Sequence, residues 1–163
     1  MSDNEQGVDG LTETKIQIPV QSGDRKVVPA LVHKACPGLA VTMIPFGAFQ
    51  VTHIKTGRKL CGLYQRASTA LLKMSQWALI ANMKGQSWAD LDQAGSAQLI
   101  EQAADDEVPF DGCTSTSQGA TKKMTVGMWF QHRFAFTWDE FPWEERDPCD
   151  MALENFEKIE VVE

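Results

Sequence analysis

His33 and Cys36 stand three residues apart on a stretch that turns at Pro37-Gly38, a spacing at which an imidazole and a thiolate could reach one metal ion. No second ligand pair accompanies them. The other cysteines, Cys61, Cys113 and Cys149, are far apart and form no CxxC motif, so neither a zinc site nor a disulfide framework is expected. The second chemistry open to these residue types is a thiolate and base couple, with Cys113 in the polar run DGCTSTSQG and His53 or His132 brought beside it by folding. Histidines placed on strands by their alternation have a plainer role as satisfied structural groups. Dinucleotide, P-loop, zincin, serine-hydrolase and kinase motifs are missing from the sequence. No metal and no cofactor is therefore expected, and a hydrolase or transferase with an unrecognised site stands only as an alternative.

Charge offers more. The net charge of -7 conceals a segregation along the chain. Residues 14–84 hold ten bases against one acid, Asp24, whereas 85–121 hold seven acids and no base. Residues 139–163 add ten acids against two bases. Segregation in sequence can be neutralised by folding, because basic strands can lie beside acidic helices.

Two constellations follow. The first is acidic and aromatic: Asp105, Asp106, Glu107 and Asp111, then Trp138, Asp139, Glu140, Phe141, Trp143, Glu144 and Glu145. Large aromatics beside acids on an irregular segment can form a partner-binding surface. The second is a basic hairpin whose tip carries Lys55, Arg58 and Lys59, with Arg66 further on, and such tips can grip a phosphate backbone. Little aromatic and glycine interleaving supports a single-strand binder there.

These residues need positioning elements. The clearest is residues 66–85, with Ser68 expected as N-cap and Gly85 just past the end. At 3.6 residues per turn, Ala70, Leu71, Met74, Trp77, Ala78 and Ala81 share one face, and Leu72, Leu79 and Met83 a second, narrower one. Two apolar stripes require two neighbours, a sheet and another helix. Strands are expected over 15–20, 27–34, 39–44, 48–55 and 59–65 from alternation and from turns at Ser22-Gly23-Asp24, Pro37-Gly38, Pro45-Phe46-Gly47 and Thr56-Gly57. Pro29 inside the second strand predicts an edge or a bulge.

Ser87 and Asp90 resemble a capping box opening a helix over 88–104, in which Gly95 would allow close approach to the central helix and complete a helical hairpin. Residues 105–121 read as a loop. Every even position from Met124 to Trp138 is apolar or His132, which reads as one long strand or two. Asp150 is expected to cap a short helix over 151–159.

The whole is read as an α+β domain over 14–163, a mostly antiparallel sheet against a two-helix hairpin with a short C-terminal helix, after a disordered acidic tail over 1–13. Its 163 residues and 43% hydrophobic content suffice for one core. No cationic leader and no apolar stretch long enough for a bilayer is seen, so a cytoplasmic protein with no membrane partner is expected. The functional expectation is a non-catalytic interaction protein, an adaptor or inhibitor such as mobile elements use against host defences. It would bind a protein partner through the acidic and aromatic segments, and the alternative is a nucleic-acid binder using the basic hairpin.

Overall fold

The structure, a computed structural model, describes residues 10–19, 23–44, 47–60, 62–110, 114–117, 120–131 and 147–159. Five strands come first: β1 (Leu11–Pro19), β2 (Arg25–His33), β3 (Leu39–Ile44), β4 (Ala48–His53) and β5 (Arg58–Lys59). They form one antiparallel meander in sequence order. Helix α1 (Ala67–Met83) follows, then a 3-10 turn at Trp88–Asp90, α2 (Gln93–Ala103), the hairpin β6 (Thr114–Ser117) and β7 (Ala120–Lys123), α3 (Val126–Gln131) and α4 (Pro148–Glu157). The expected α+β architecture is what forms. β1 begins at Leu11, within the stretch read as tail.

Alternation sorts the sheet into two faces. Leu39, Val41 and Val51 point to one side and join Leu71, Met74 and Trp77 of α1 in the main core. Thr69 to Ala81 of α1 are all buried, because β3 and β4 cover one flank and α4 the other. Inside that contact Asn155 Nδ2 donates to Ser75 Oγ at 3.0 Å, and Ser75 Oγ donates to the Leu72 carbonyl at 2.6 Å. Trp77 anchors an aromatic cluster, edge-on to Trp88 at 5.9 Å and to Trp129 at 5.0 Å.

The second sheet face is also buried, with Ile18, Val28, Ala30, Ala40, Thr42 and Thr52 all closed to solvent. Its polar members satisfy one another: the Thr42 and Thr52 hydroxyls are 2.8 Å apart, and Gln50 Nε2 donates to Thr52 Oγ1 at 3.0 Å. The cover is the sheet itself. A Cβ on Gly57, in the turn after β4, would lie 2.6 Å from Pro19 Cδ at the end of β1. The β1–β2 ribbon therefore curls over the second face until the first strand meets the last turn.

The curl begins at Pro29. Pairing of β2 with β3 covers only Ala30 with Thr42 and Leu31 with Val41, and stops one residue short of the proline, which has no N–H to continue it. The edge expected from Pro29 is thus a half-edge: Arg25–Pro29 pair with β1 on one side and with no strand on the other, among the described residues.

Several local expectations are corrected. The N-cap of α1 is Arg66, with no side-chain bond, and Ser68 lies inside the helix. Gly85 does end it, donating to the Asn82 carbonyl while Gln86 N–H returns to Ala81. The span 88–104 divides, since Ser87 caps only the 3-10 turn and Asp92 Oδ1 accepts from Gly95 N–H to start α2. Gly95 serves that cap, as a Cβ there would meet Asp92 and Leu91 at 3.1 Å.

The helix lying along α1 is α4, and α2 packs on α3. The run 105–121 contains β6 and leads into β7, where Thr-rich segments pair. Residues 126–131 are helical rather than extended, because Thr125 Oγ1 caps Met128 N–H and burial falls on Val126 and Trp129 at helical spacing. Asp147, not Asp150, caps α4, with Pro148 at its first position.

Candidate polyanion interface

The sequence-level chemistry resolves first. His33 Nδ1 accepts from Ala35 N–H at 2.9 Å, and its ring lies flat on Phe156 at 4.0 Å. Cys36 is buried beside it, and desolvation pushes its thiol up from 9.0 to about 12, against a smaller opposing effect of a backbone hydrogen bond at Leu39. A thiol held protonated in this way is a poor nucleophile near neutral pH.

His53 is spoken for at both nitrogens, by the Trp88 carbonyl at 2.7 Å and Thr56 Oγ1 at 2.9 Å, which removes it as a base for Cys113. Cys113 and His132 themselves lie outside the described residues. Among the described residues no group of three or more His, Cys, Asp or Glu could hold a metal ion. No helix among them is long and apolar enough to cross a membrane.

The acidic and aromatic constellation is described only in part. Asp111 and the whole of Trp138, Asp139, Glu140, Phe141, Trp143, Glu144 and Glu145 lie outside the described residues. Asp105, Asp106 and Glu107 form the turn leading from α2 toward α3. Asp106 carries a 2.9 Å ion pair to Lys84, and its carbonyl accepts from Val126 N–H. Asp105 and Glu107 are exposed.

The basic hairpin is described in full. Its tip is the tight turn Ile54–Gly57, closed by Gly57 N–H donating to the His53 carbonyl at 2.7 Å. Thr56 Oγ1 accepts from Arg58 N–H at 3.3 Å and so fixes the return strand. Lys55, Arg58 and Lys59 are all exposed there.

Arg66 is elsewhere. The return segment continues along β4 until Tyr64 pairs with Phe49, about 14 Å from His53 at strand rise, and Arg66 stands beyond it at the start of α1. In its place the fold supplies two cations that sequence reasoning did not assign, Arg25 and Lys26. They pair with Pro19 and Ile18 at the end of the β1–β2 ribbon, and Pro19 is the residue seated on Gly57. Two turns separated by thirty residues of sequence thus present Arg25, Lys26, Lys55, Arg58 and Lys59 at one corner, all exposed, with Asp24 as the neighbouring acid.

No family model, curated protein or solved structure matches this chain. What the corner can do is therefore argued from its chemistry. Exposed cations gain little singly in water, but several on one convex corner sum to a field that attracts a polyanion and releases its counterions. By element, β1–β5 with their turns are basic, and the segment 85–110 carries acids and no base.

Proposed function

We propose that this chain is a non-catalytic, cytoplasmic binding protein that holds a nucleic-acid backbone at the corner formed by Arg25, Lys26, Lys55, Arg58 and Lys59. The observation that carries this reading is the contact of Pro19 with Gly57, which joins two short cationic turns into one surface. Recognition there is of phosphate charge and spacing, since long flexible cations at a turn position a backbone without reading bases.

The test is binding of labelled single-stranded and duplex oligonucleotides by fluorescence anisotropy across a salt series. Five engaged phosphates on a duplex give a log–log salt slope of roughly -4.5. Reversing Arg25 and Lys26 to Glu should weaken binding and flatten that slope by roughly 1.8, as should reversing any two of Lys55, Arg58 and Lys59. Absence of binding at low salt, or indifference to the Arg25 and Lys26 reversal, would overturn the single-surface reading.

A second reading is supported by the turn after α2. The Lys84 to Asp106 ion pair anchors that turn while Asp105 and Glu107 face water, which suits an adaptor or inhibitor docking a basic protein partner there and through the acidic, aromatic segment. Reversal of Asp105 and Glu107 to Lys, with loss of a protein partner and retention of oligonucleotide binding, separates it from the first.

A further inference from the structure

The bend of β2 away from β3 leaves an opening on the α1 side of the sheet. It is a groove of about 750 Å³, lined by Pro29, Leu31, Val41, Met43, Phe49 and Ala67. Among the described residues, two of the four exposed large hydrophobic residues flank the split between the strands, Val27 on β2 at 54% and Met43 on β3 at 41%. Both strands have backbone here that is unpaired among the described residues, because their ladder ends at Ala30 and Thr42. The free edge Arg25–Pro29 is five residues, about 17 Å, long enough to template another strand.

Apolar side chains at every second position beside an unpaired strand edge are the features by which sheets take up extended peptides. Charge then narrows the occupant. Lys15 lines the groove, Arg25 and Lys26 sit on the free edge, and Arg66 adjoins Ala67, against the single lining acid Glu13.

We infer that this groove binds an extended segment of a partner protein that carries apolar and acidic residues together at every second position, added as a strand to the free edge of β2. The side chains on that one face lie over Met43, Phe49 and Leu31 where apolar and face Lys15 and Arg25 where acidic, since all five residues share the groove side of the sheet. The groove shares the Arg25 and Lys26 edge with the polyanion corner, but Met43 and Phe49 belong to the groove alone and Lys55, Arg58 and Lys59 to the corner alone, so variants at those positions tell the two apart.

The test is selection of short random peptides displayed against the whole chain, followed by affinity measurement on the enriched family. Enrichment of sequences with apolar and acidic residues at positions of one parity is expected. Met43→Glu and Val27→Glu should each weaken them by at least about tenfold. Both positions are exposed, so the variants keep the fold, which a circular dichroism melt checks. N-methylation of alternate peptide amides should abolish binding on one parity and spare it on the other, as strand addition requires.

Failure to enrich any family, enrichment of basic or neutral peptides, or binding insensitive to Met43→Glu would overturn the inference. So would a dimer in sedimentation that Met43→Glu dissolves, which would give the groove to a second copy. Loss of oligonucleotide binding in Met43→Glu, with no peptide enriched, would give it to nucleic acid.

Discussion

His53 Nε2 stands 2.7 Å from the carbonyl oxygen of Trp88. A carbonyl only accepts, so Nε2 carries a proton, and Nδ1 shares a second hydrogen bond with Thr56 Oγ1 at 2.9 Å. One buried imidazole thus fixes both the turn that carries Lys55 and the 3-10 turn that leads to α2. Replacing it by His53→Phe keeps the volume and leaves the Trp88 carbonyl only the long 3.4 Å bond from Leu91 N–H. A loss of about 1–3 kcal/mol in urea unfolding is expected, the cost of a buried acceptor stripped of its shorter bond. A loss below about 0.5 kcal/mol would show the carbonyl has found another donor.

Gly38 is the tightest backbone approach between the sheet and that same 3-10 turn. Its φ is 108°, and a Cβ there would lie 2.3 Å from Ala89 N and 2.6 Å from the Trp88 carbonyl carbon. The neighbours are main chain and cannot rotate aside. Gly38→Ala should cost about 3 kcal/mol through strain and displacement, read from the denaturation midpoint. Gly47→Ala, with nothing within 4 Å of the added carbon, isolates the positive-φ contribution alone.

The Cys36 thiol makes stability depend on alkaline pH. With its folded value near 12 against an ordinary 9.0, the unfolded chain loses the proton first as pH rises. Stability from this group is therefore constant below pH 9.0 and falls between 9.0 and about 12, by at most about 1.4 kcal/mol per pH unit. The stability advantage of the native chain over Cys36→Ala should narrow across that window. At neutral pH, mass spectrometry after brief alkylation should find Cys36 unlabelled and the half-buried Cys149 labelled ahead of it.

The hydrogen bond from Asn155 to Ser75 is a polar link in the contact of α4 with α1. Asn155→Ala should cost about 1–3 kcal/mol in urea unfolding, because it removes packing along with one bond to a buried hydroxyl. Ser75→Ala removes the donation to the Leu72 carbonyl and leaves the buried Asn155 amide without this acceptor, so it should cost at least as much, and the double variant less than the sum.

The meander was legible because each strand alternates and each turn announces itself with Gly or Pro, from Pro37-Gly38 to Thr56-Gly57. The end of α1 was legible for the same reason at Gly85. What the pattern concealed is helix α3, where Met124, Val126, Met128 and Phe130 alternate in sequence and Trp129 at an odd position is the fully buried ring. Six residues cannot form a helix from propensity alone. Tertiary contacts decide it, with Gly127 N–H donating to the Ala104 carbonyl at 2.9 Å and a Cβ there only 3.0 Å from the same oxygen.

The candidate site was half legible. Lys55, Arg58 and Lys59 follow from one hairpin, but Arg25 and Lys26 join them only through the curl of the sheet, which no local pattern encodes. Arg66 stands apart for the complementary reason: the return segment carries it to the far end of β4.

The partners in the α1 and α4 contact are eighty residues apart, as Ser75 and Asn155 show. At ordinary translation speeds, roughly 4 to 16 seconds separate the emergence of these two residues from the ribosome. Through that interval the sheet can close over one flank of α1 while the other faces water. The nascent chain therefore presents an apolar helix flank to chaperones until α4 arrives, and arrival of α4 is the step that ends its exposure.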